Sequence, residues 1–144
     1  DNVYVVEQYG NRIRKLTSDG KSILKWGEEG KSEGQFDMPW GVTLDSESNV
    51  YVADWRNDRV QKFTADGEFM ATFGEPGEGE GQFNRPSSVA VDDDGLIYVA
   101  DWGNERVQVI GCGRHISHYA SRRGDGISVG RGVAGGEPGR VAGP

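Results

Sequence analysis

The sequence predicts an all-β fold made of repeated antiparallel strands, and two observations support that prediction. First, the stretch YVADWRNDRVQKF at residues 51–63 returns as YVADWGNERVQVI at residues 98–110, and a weaker copy, YVVEQYGNRIRKL, occupies residues 4–16. The copies begin at residues 4, 51 and 98, so the period is 47 residues at each step. Second, apolar residues alternate with the period of a strand and nowhere with the 3.6-residue period of a helix. A fixed period of this length is typical of folds in which each unit packs against its neighbours.

Each unit contains four short strands joined by polar turns. The strands predicted for the middle unit are PWGVTLD at 39–45, VYVADW at 50–55, RVQKFT at 59–64 and FMATFG at 69–74. The turns between them, SESN, RND and ADGE, are short enough to make neighbouring strands antiparallel. A glycine-rich link, EPGEGEGQFNRP at residues 75–86, carries the chain to the next unit.

Repeated four-stranded antiparallel units describe the blades of a β-propeller, in which successive sheets pack face to face around a channel. Residues 1–110 hold slightly more than two units. A propeller closes with about four to eight blades, so we expect an incomplete ring. The expected partners therefore include the missing blades of the same propeller.

The units resemble a known family. The pattern P-x-G-V-x-x-D, followed by N-V-Y-V-A-D-x-x-N-x-R-V-Q-x-F and then D-G, is similar to the NHL repeat over residues 1–110. YWTD-type and gluconolactonase-like propellers fit the pattern less well. The resemblance implies about six blades in a complete domain. It also implies a face that binds a protein or another polymer, and in eukaryotic relatives such faces can bind RNA.

The repeat stops after Ile110, and residues 111–144 form a tail of different composition. Gly113 and Arg114 stand where the Asp-Gly turn of the preceding unit should recur, and the tail is rich in glycine and arginine with few acids. Low complexity of this kind predicts disorder.

A reading-frame slip after Ile110 is a second explanation of the tail. When the codons of GCGRHIS are read one base later, they permit Asp, Ala, Asp, Gly, Thr and Phe. Those residues restore the missing turn in register with TADGEF at residues 64–69. Resequencing of the gene distinguishes the two explanations.

Composition excludes several classes of function. The net charge is −7 overall, and residues 1–110 carry 11 Lys and Arg against 21 Asp and Glu, which gives −10. Nucleic-acid binding needs clustered basic residues, so an RNA partner is not expected. No run of about 18 apolar residues predicts a membrane segment, and secretion stays undecided. The single cysteine, Cys112, excludes a disulfide framework within the chain.

No metal or cofactor is predicted. His115 and His118 lie near Cys112 with a spacing that zinc ligands can have, but a fourth ligand and an ordered scaffold are lacking. Residues 1–110 contain no histidine, so the zinc-dependent amidating lyase that resembles this family has no ligand positions to match here. We interpret DDDG at 92–95 as a hairpin turn and GEGEG at 77–81 as a connector, since neither fits a calcium or phosphate loop.

An acid, an amide and a base recur at fixed spacing in the turn after the second strand. Their repetition argues against catalysis, because a catalytic group is needed once per site. Side chains of Asp and Asn commonly hold turns through backbone amides. The residues predicted to be structural are Asp54, Asn57, Arg59, Asp101, Asn104 and Arg106.

Function is expected where the units differ, on the face that carries the links and the turns after the second strands. Aromatic residues and arginine are the usual anchors of recognition surfaces. Trp55 and Trp102 are repeated, so packing between blades is an equally good interpretation for that pair. The candidate binding residues are Trp40, Trp55, Arg56, Arg85 and Trp102, with Tyr9 on the same face.

The main functional hypothesis is a binding scaffold, without enzymatic activity, whose ligand is a protein or another polymer. The alternative is part of a metal-dependent propeller lyase or lactone hydrolase whose site residues lie in the missing blades. A third hypothesis is a sensor or spacer domain of a larger membrane-linked protein.

Overall fold

Three antiparallel sheets follow one another along the chain in the computed structural model, which describes residues 1–111 and the backbone of residues 116–122 and 127–133. The strands are β1 (Val3–Glu7), β2 (Arg12–Leu16), β3 (Ser22–Trp26), β4 (Pro39–Leu44), β5 (Val50–Asp54), β6 (Arg59–Phe63), β7 (Phe69–Phe73), β8 (Pro86–Val91), β9 (Ile97–Asp101), β10 (Arg106–Ile110), β11 (Ile116–Arg122) and β12 (Ile127–Val133). Two short 3₁₀ turns, Trp55–Asn57 and Trp102–Asn104, connect β5 to β6 and β9 to β10.

Strand order within each sheet follows the order along the chain, which confirms the predicted blades. The sheets contain β1 to β3, β4 to β7 and β8 to β12. Strands β1, β5 and β9 begin at residues 3, 50 and 97, so their bounds keep the 47-residue period of the sequence. Among the described residues, the first sheet has three strands and none that corresponds to β4. No helix among the described residues is long and apolar enough to cross a membrane.

Two hydrophobic clusters lie between neighbouring sheets, and β5 contributes to both. Val50 and Val52 point to one side and pack with Ile13 of the first sheet. Tyr51 and Ala53 point to the other side, toward the third sheet. Successive side chains of a strand alternate between its faces, so a strand sandwiched between sheets must be apolar at consecutive positions. This explains the unbroken VYVA run.

The links between blades are anchored by one phenylalanine each. Phe36 and Phe83 are completely buried, one in each cluster. The Phe36 N–H donates to Glu28 O at 2.8 Å, and the Phe83 N–H donates to Glu75 O at the same distance. Each link therefore folds back on itself around a buried ring.

The hairpin turn predicted at DDDG is present. The Gly95 N–H donates to Asp92 O at 3.0 Å, and the Asp92 carboxylate accepts from the N–H groups of Asp94 and Leu96. The carboxylate that a calcium loop would need is therefore used to hold the turn.

Part of the tail lies in strands, where disorder was expected from composition. Backbone pairing of Val107 with Ala120 repeats the pairing of Val60 with Phe73 one unit earlier, so β11 takes the place of a fourth strand. Strand β12 then pairs with β11 and has no counterpart in the other sheets. The rest of residues 112–144, including Cys112 and His115, lies outside the described residues. The reading-frame slip stays a prediction.

Candidate functional site

The links and the 3₁₀ turns lie at the same end of the strands, as the alternation of strand direction predicts. Pro39, which opens β4, pairs with Asp54, which closes β5. The Arg56 N–H donates to Asp37 O of the preceding link at 3.0 Å, and the Gly103 N–H donates to Asn84 O at 2.6 Å. We call this end of the blades the link face.

Aromatic rings stack on the link face. The rings of Trp40 and Trp55 are 4.9 Å apart between centroids, and their planes differ by 5°. The Arg85 guanidinium carbon lies 5.0 Å from the centre of the Trp55 ring, and the Trp102 ring follows at 6.3 Å from Trp55 with its plane tilted by 45°. We call Trp40, Trp55, Arg85 and Trp102 the tryptophan ladder. Four separate segments of the chain meet in it.

The ladder arginine is held in place by backbone and carboxylate contacts. Arg85 Nη1 donates to Arg56 O at 2.9 Å and lies 3.9 Å from Asp58 Oδ1. The same Asp58 oxygen accepts from the Arg85 backbone N–H at 2.8 Å. The guanidinium is therefore fixed over Trp55, where its charge is attracted by the π face of the ring.

The ladder residues differ in exposure. Trp102 is 63% exposed and Trp40 is 40% exposed, whereas Trp55 is partly buried between its neighbours. Tyr9, in the corresponding turn of the first sheet, is 88% exposed. The structure thus brings four of the five candidate binding residues together and leaves Trp102 mostly, and Trp40 partly, open to solvent.

The acid of the repeated turn lies beneath the link face and is completely buried. Asp54 Oδ1 accepts from the Asp37 N–H at 2.8 Å, while Oδ2 accepts from Asn57 Nδ2 and Arg59 Nε, each at 2.9 Å. Burial raises the pKa of Asp54, and these three donors act in the opposite direction. The side chain makes no hydrogen bond to the backbone amides of its own 3₁₀ turn, so it contacts the turn through the Asn57 side chain and the link through the Asp37 N–H.

The base of the turn also binds the link. Arg59 donates from Nη1 to Lys31 O at 2.7 Å and from Nη2 to Ser32 O at 3.0 Å and Gln35 O at 2.9 Å. Asn57 Nδ2 donates to Gly30 O at 2.8 Å. A planar guanidinium suits this arrangement, because its donors fork toward several acceptors at once.

Sequence reasoning missed one member of this network. Gln61 is completely buried, donates to Gln35 O at 2.7 Å and accepts from the Gly34 N–H at 2.9 Å. Its copy, Gln108, has the same contacts with Gln82 and Gly81. A buried polar residue repeated at the 47-residue spacing is a signal that could have identified it. We call Asp54, Asn57, Arg59 and Gln61, together with their copies, the latch.

The latch is repeated in the third sheet and altered in the first. Asp101, Asn104 and Arg106 repeat the contacts of their counterparts with the link at residues 77–84. In the first sheet, Glu7 pairs with both Arg12 and Arg14, and these partners lower its pKa. In the second and third sheets, the repeated acid, amide and base therefore bind one another and the backbone of the preceding link.

The turn differs between units at Arg56 and Gly103, and the link changes with it. Arg56 Nη1 lies 3.9 Å from Asp37 Oδ1, whereas Asn84 takes the place of that acid one unit later. A Cβ at Gly103 would lie 2.5 Å from Asn84. At this position the middle unit has the exposed ion pair of Arg56 and Asp37, whereas in the next unit the Gly103 backbone lies close to Asn84.

Metal-binding clusters were sought among the described residues. Within that part of the chain, no group of three or more His, Cys, Asp or Glu side chains is arranged to hold a metal ion. Cys112 and His115 lie outside it, and for His118 only the backbone is described. The prediction that these three residues form no metal site stays a prediction.

The chain is similar to known repeats and structures. The NHL repeat matches residues 36–63 and 83–110. No curated protein sequence matches the chain. Among solved structures, a streptogramin B lyase has a TM-score of 0.58 and 17% identity, covering 94% of this chain and 49% of that chain.

Two further solved structures are similar. Virginiamycin B lyase from Staphylococcus aureus has a TM-score of 0.58 and 15% identity, covering 94% of this chain and 50% of that chain. A protein of unknown function from Bacteroides caccae has a TM-score of 0.53 and 16% identity, covering 72% and 35%. The chain thus spans about half the length of the two lyases. At these identities the likeness shows the fold.

Proposed function

Because the chain carries two NHL repeats folded as propeller blades, we propose that it is a binding scaffold that takes a polypeptide ligand on its link face. The tryptophan ladder is the observation that supports this proposal. Exposed aromatic rings backed by a fixed arginine provide the side chains that dominate recognition surfaces. The polar side chains below the rings belong to the latch and are hydrogen-bonded to the links. We therefore assign recognition to the ladder.

Charge favours a polypeptide over a nucleic acid. Residues 1–110 carry a net charge of −10, and the ladder residue Arg85 and its neighbour Arg56 each lie within 4 Å of a carboxylate. Phosphate binding requires cations that are not already neutralised. A ligand with basic residues suits this surface better.

A peptide-display selection on the intact chain tests the proposal. We expect selected peptides to lose affinity roughly tenfold or more when Trp102→Ala removes the most exposed ring of the ladder. Met70→Ala is the control, since Met70 is exposed but lies beside the turn at the opposite end of the blade. Peptides that bind the wild-type chain and the Trp102 variant equally would overturn the proposal.

An oligonucleotide gel-shift assay at low salt is the second test of the proposed ligand class. We expect no shift with single-stranded RNA. A shift that disappears as salt is raised would assign the link face to nucleic acid instead.

The second candidate is a metal-dependent lyase or lactone hydrolase. Its support is the fold shared with the two lyases, each about twice as long as this chain. Metal analysis of the longer protein, with all its blades, separates the two functions, and a full equivalent of bound metal would favour the enzyme.

A further inference from the structure

The third sheet carries one strand more than a blade needs. β11 takes the place of a fourth strand, and β12 pairs antiparallel with it as a fifth. Within β12, residues 129–133 lie opposite residues 116–120 of β11. Residues 116–120 correspond to β7 one unit earlier, because Ala120 and Phe73 pair with matching residues of β10 and β6. The chain itself thus shows an extended segment added to the edge of a blade.

The matching edge of the middle blade is open. In the part of the chain that the structure describes, β7 pairs with β6 alone. Alternate N–H and C=O groups of β7 therefore point away from the sheet, where a further strand can bind them. Blades of a propeller stack through their faces, so neither the preceding nor the following blade covers this edge. We call the free side of β7 the outer edge.

The corresponding edge of the first sheet is protected by lysines. Lys21 and Lys25 stand where the middle blade has Glu68 and Thr72. Lysine on an edge strand discourages pairing with another chain. Strands β3 and β7 have the same register shift toward their inner neighbours, so the two edges differ in side chains. β7 contains neither lysine nor proline.

The charges around the outer edge favour a basic segment. Glu68 precedes β7 and Glu75 follows it, and both are exposed. The ammonium of Lys62, on β6, lies over the ring of Tyr51 on β5, 5.4 Å from its centroid and farther from the edge. Residues 111–144, from which β12 comes, carry five Lys and Arg against two Asp and Glu. The segment that occupies the matching edge therefore belongs to a basic part of the chain.

We propose that the outer edge of β7 binds an extended basic segment of a partner polypeptide, which adds as a fifth strand to the middle sheet. The segment runs antiparallel to β7, as β12 runs to β11. Backbone hydrogen bonds hold it, and basic residues near its ends pair with Glu68 and Glu75. The outer edge is separate from the tryptophan ladder, so this inference does not depend on the proposed function.

Short peptides test the outer edge directly. The probe is the blocked heptapeptide KTVTVTK, titrated into the intact chain by NMR, with ETVTVTE as the charge-reversed control. We expect KTVTVTK to bind roughly tenfold more tightly at low salt. Its binding should also slow hydrogen exchange in β7. Protection that appears at the turns 55–57 and 102–104, and not in β7, would overturn this inference and leave the link face as the binding surface.

Methylated probes show whether the backbone makes the contact. One version of KTVTVTK carries N-methyl groups on its third and fifth residues, and the other carries them on its second, fourth and sixth. An added strand pairs with the sheet through alternate amides. We therefore expect one version to lose roughly tenfold in affinity and the other to keep it. Binding of both versions as tightly as the unmodified probe would overturn the proposal.

A lysine placed on β7 should close the outer edge. Thr72 is exposed, and Thr72→Lys introduces the residue that β3 has at the matching position, so the fold should tolerate it. We expect the affinity for KTVTVTK to fall roughly tenfold. Ser46→Lys is the matched control, because it adds the same charge at an exposed position in the turn between β4 and β5. Equal losses in the two variants would contradict binding at β7.

Sedimentation without peptide distinguishes a partner from a second copy of the chain. We expect the wild-type chain and the Thr72→Lys variant to have the same oligomeric state. A larger assembly that forms only in the wild type would assign the outer edge to a second copy and overturn the proposed ligand.

Discussion

Arg59 Nε lies 2.9 Å from Asp54 Oδ2, and the rest of the guanidinium bonds three carbonyl oxygens of the preceding link. We predict that Arg59→Lys lowers the free energy of unfolding by about 1–3 kcal/mol, because an ammonium group cannot reach all of these acceptors and Asp54 stays buried. Urea denaturation measures the change.

Arg56→Lys is the matched control for that variant. The Arg56 side chain is 53% exposed and contacts Asp37 at only 3.9 Å. An exposed ion pair contributes little, so we expect a change within about 0.5 kcal/mol. Equal losses in the two variants would contradict the role assigned to the latch.

Alanine substitutions at Gly74 and Gly95 distinguish the cost of backbone strain from the cost of a steric clash. Both have positive φ, +89° and +82°, but a Cβ at Gly74 would lie 2.2 Å from the Phe83 ring, whereas nothing lies within 4 Å of one at Gly95. We expect Gly95→Ala to cost about 1 kcal/mol through strain. Gly74→Ala should cost roughly 1–3 kcal/mol more, because the buried ring must move. Similar midpoints in thermal denaturation would argue against this packing.

Phe36 anchors the link between the first two blades. We predict that Phe36→Ala lowers the free energy of unfolding by about 3–5 kcal/mol, since a completely buried ring is removed. Met70→Ala, at a side chain that is 46% exposed, should change it by less than about 1 kcal/mol. Hydrogen exchange at residues 28–36 provides a local readout, and unchanged protection there would count against the anchor.

Asp45 is expected to make the free energy of unfolding depend on pH in the acidic range. Burial raises the pKa of Asp45, but hydrogen bonds from Asn49, Tyr51 and Glu47 outweigh burial, so the folded pKa lies below its ordinary value of 3.8. A lowered folded pKa stabilises the fold above the unfolded pKa, and the contribution disappears as pH falls through the folded value.

The comparison of wild type with Asp45→Asn isolates this group. We expect the difference in free energy of unfolding to be constant near neutral pH and to shrink below about pH 4. Glu7, whose pKa is also lowered, is present in both chains and cancels in the difference. A difference that grows on acidification would reverse the assigned sign.

Repetition made the fold predictable. The predicted strands agree with β4 to β7 within one residue at each end, because the 47-residue offset aligns alternation and turns in two independent copies. The VYVA run, at residues 50–53, was likewise predicted to be a strand, and its burial on both faces is a finding of the structure.

The candidate face was predictable only in part. The sequence placed Trp40, Trp55 and Arg85 at one end of the blades, but their stacking depends on how three segments approach one another in space.

The latch also bears on the order in which the chain folds during synthesis. Its contacts join residues 54–61 to link residues 30–37, which leave the ribosome first. The contacts that hold each link can form only after the next two strands of the chain have been synthesised. The latch contacts named above involve no residue of a later blade. Since synthesis proceeds at about 5–20 residues per second, a blade can secure its link within seconds. We therefore expect assembly to proceed blade by blade from the amino terminus, with each finished sheet serving as the surface on which the next one forms.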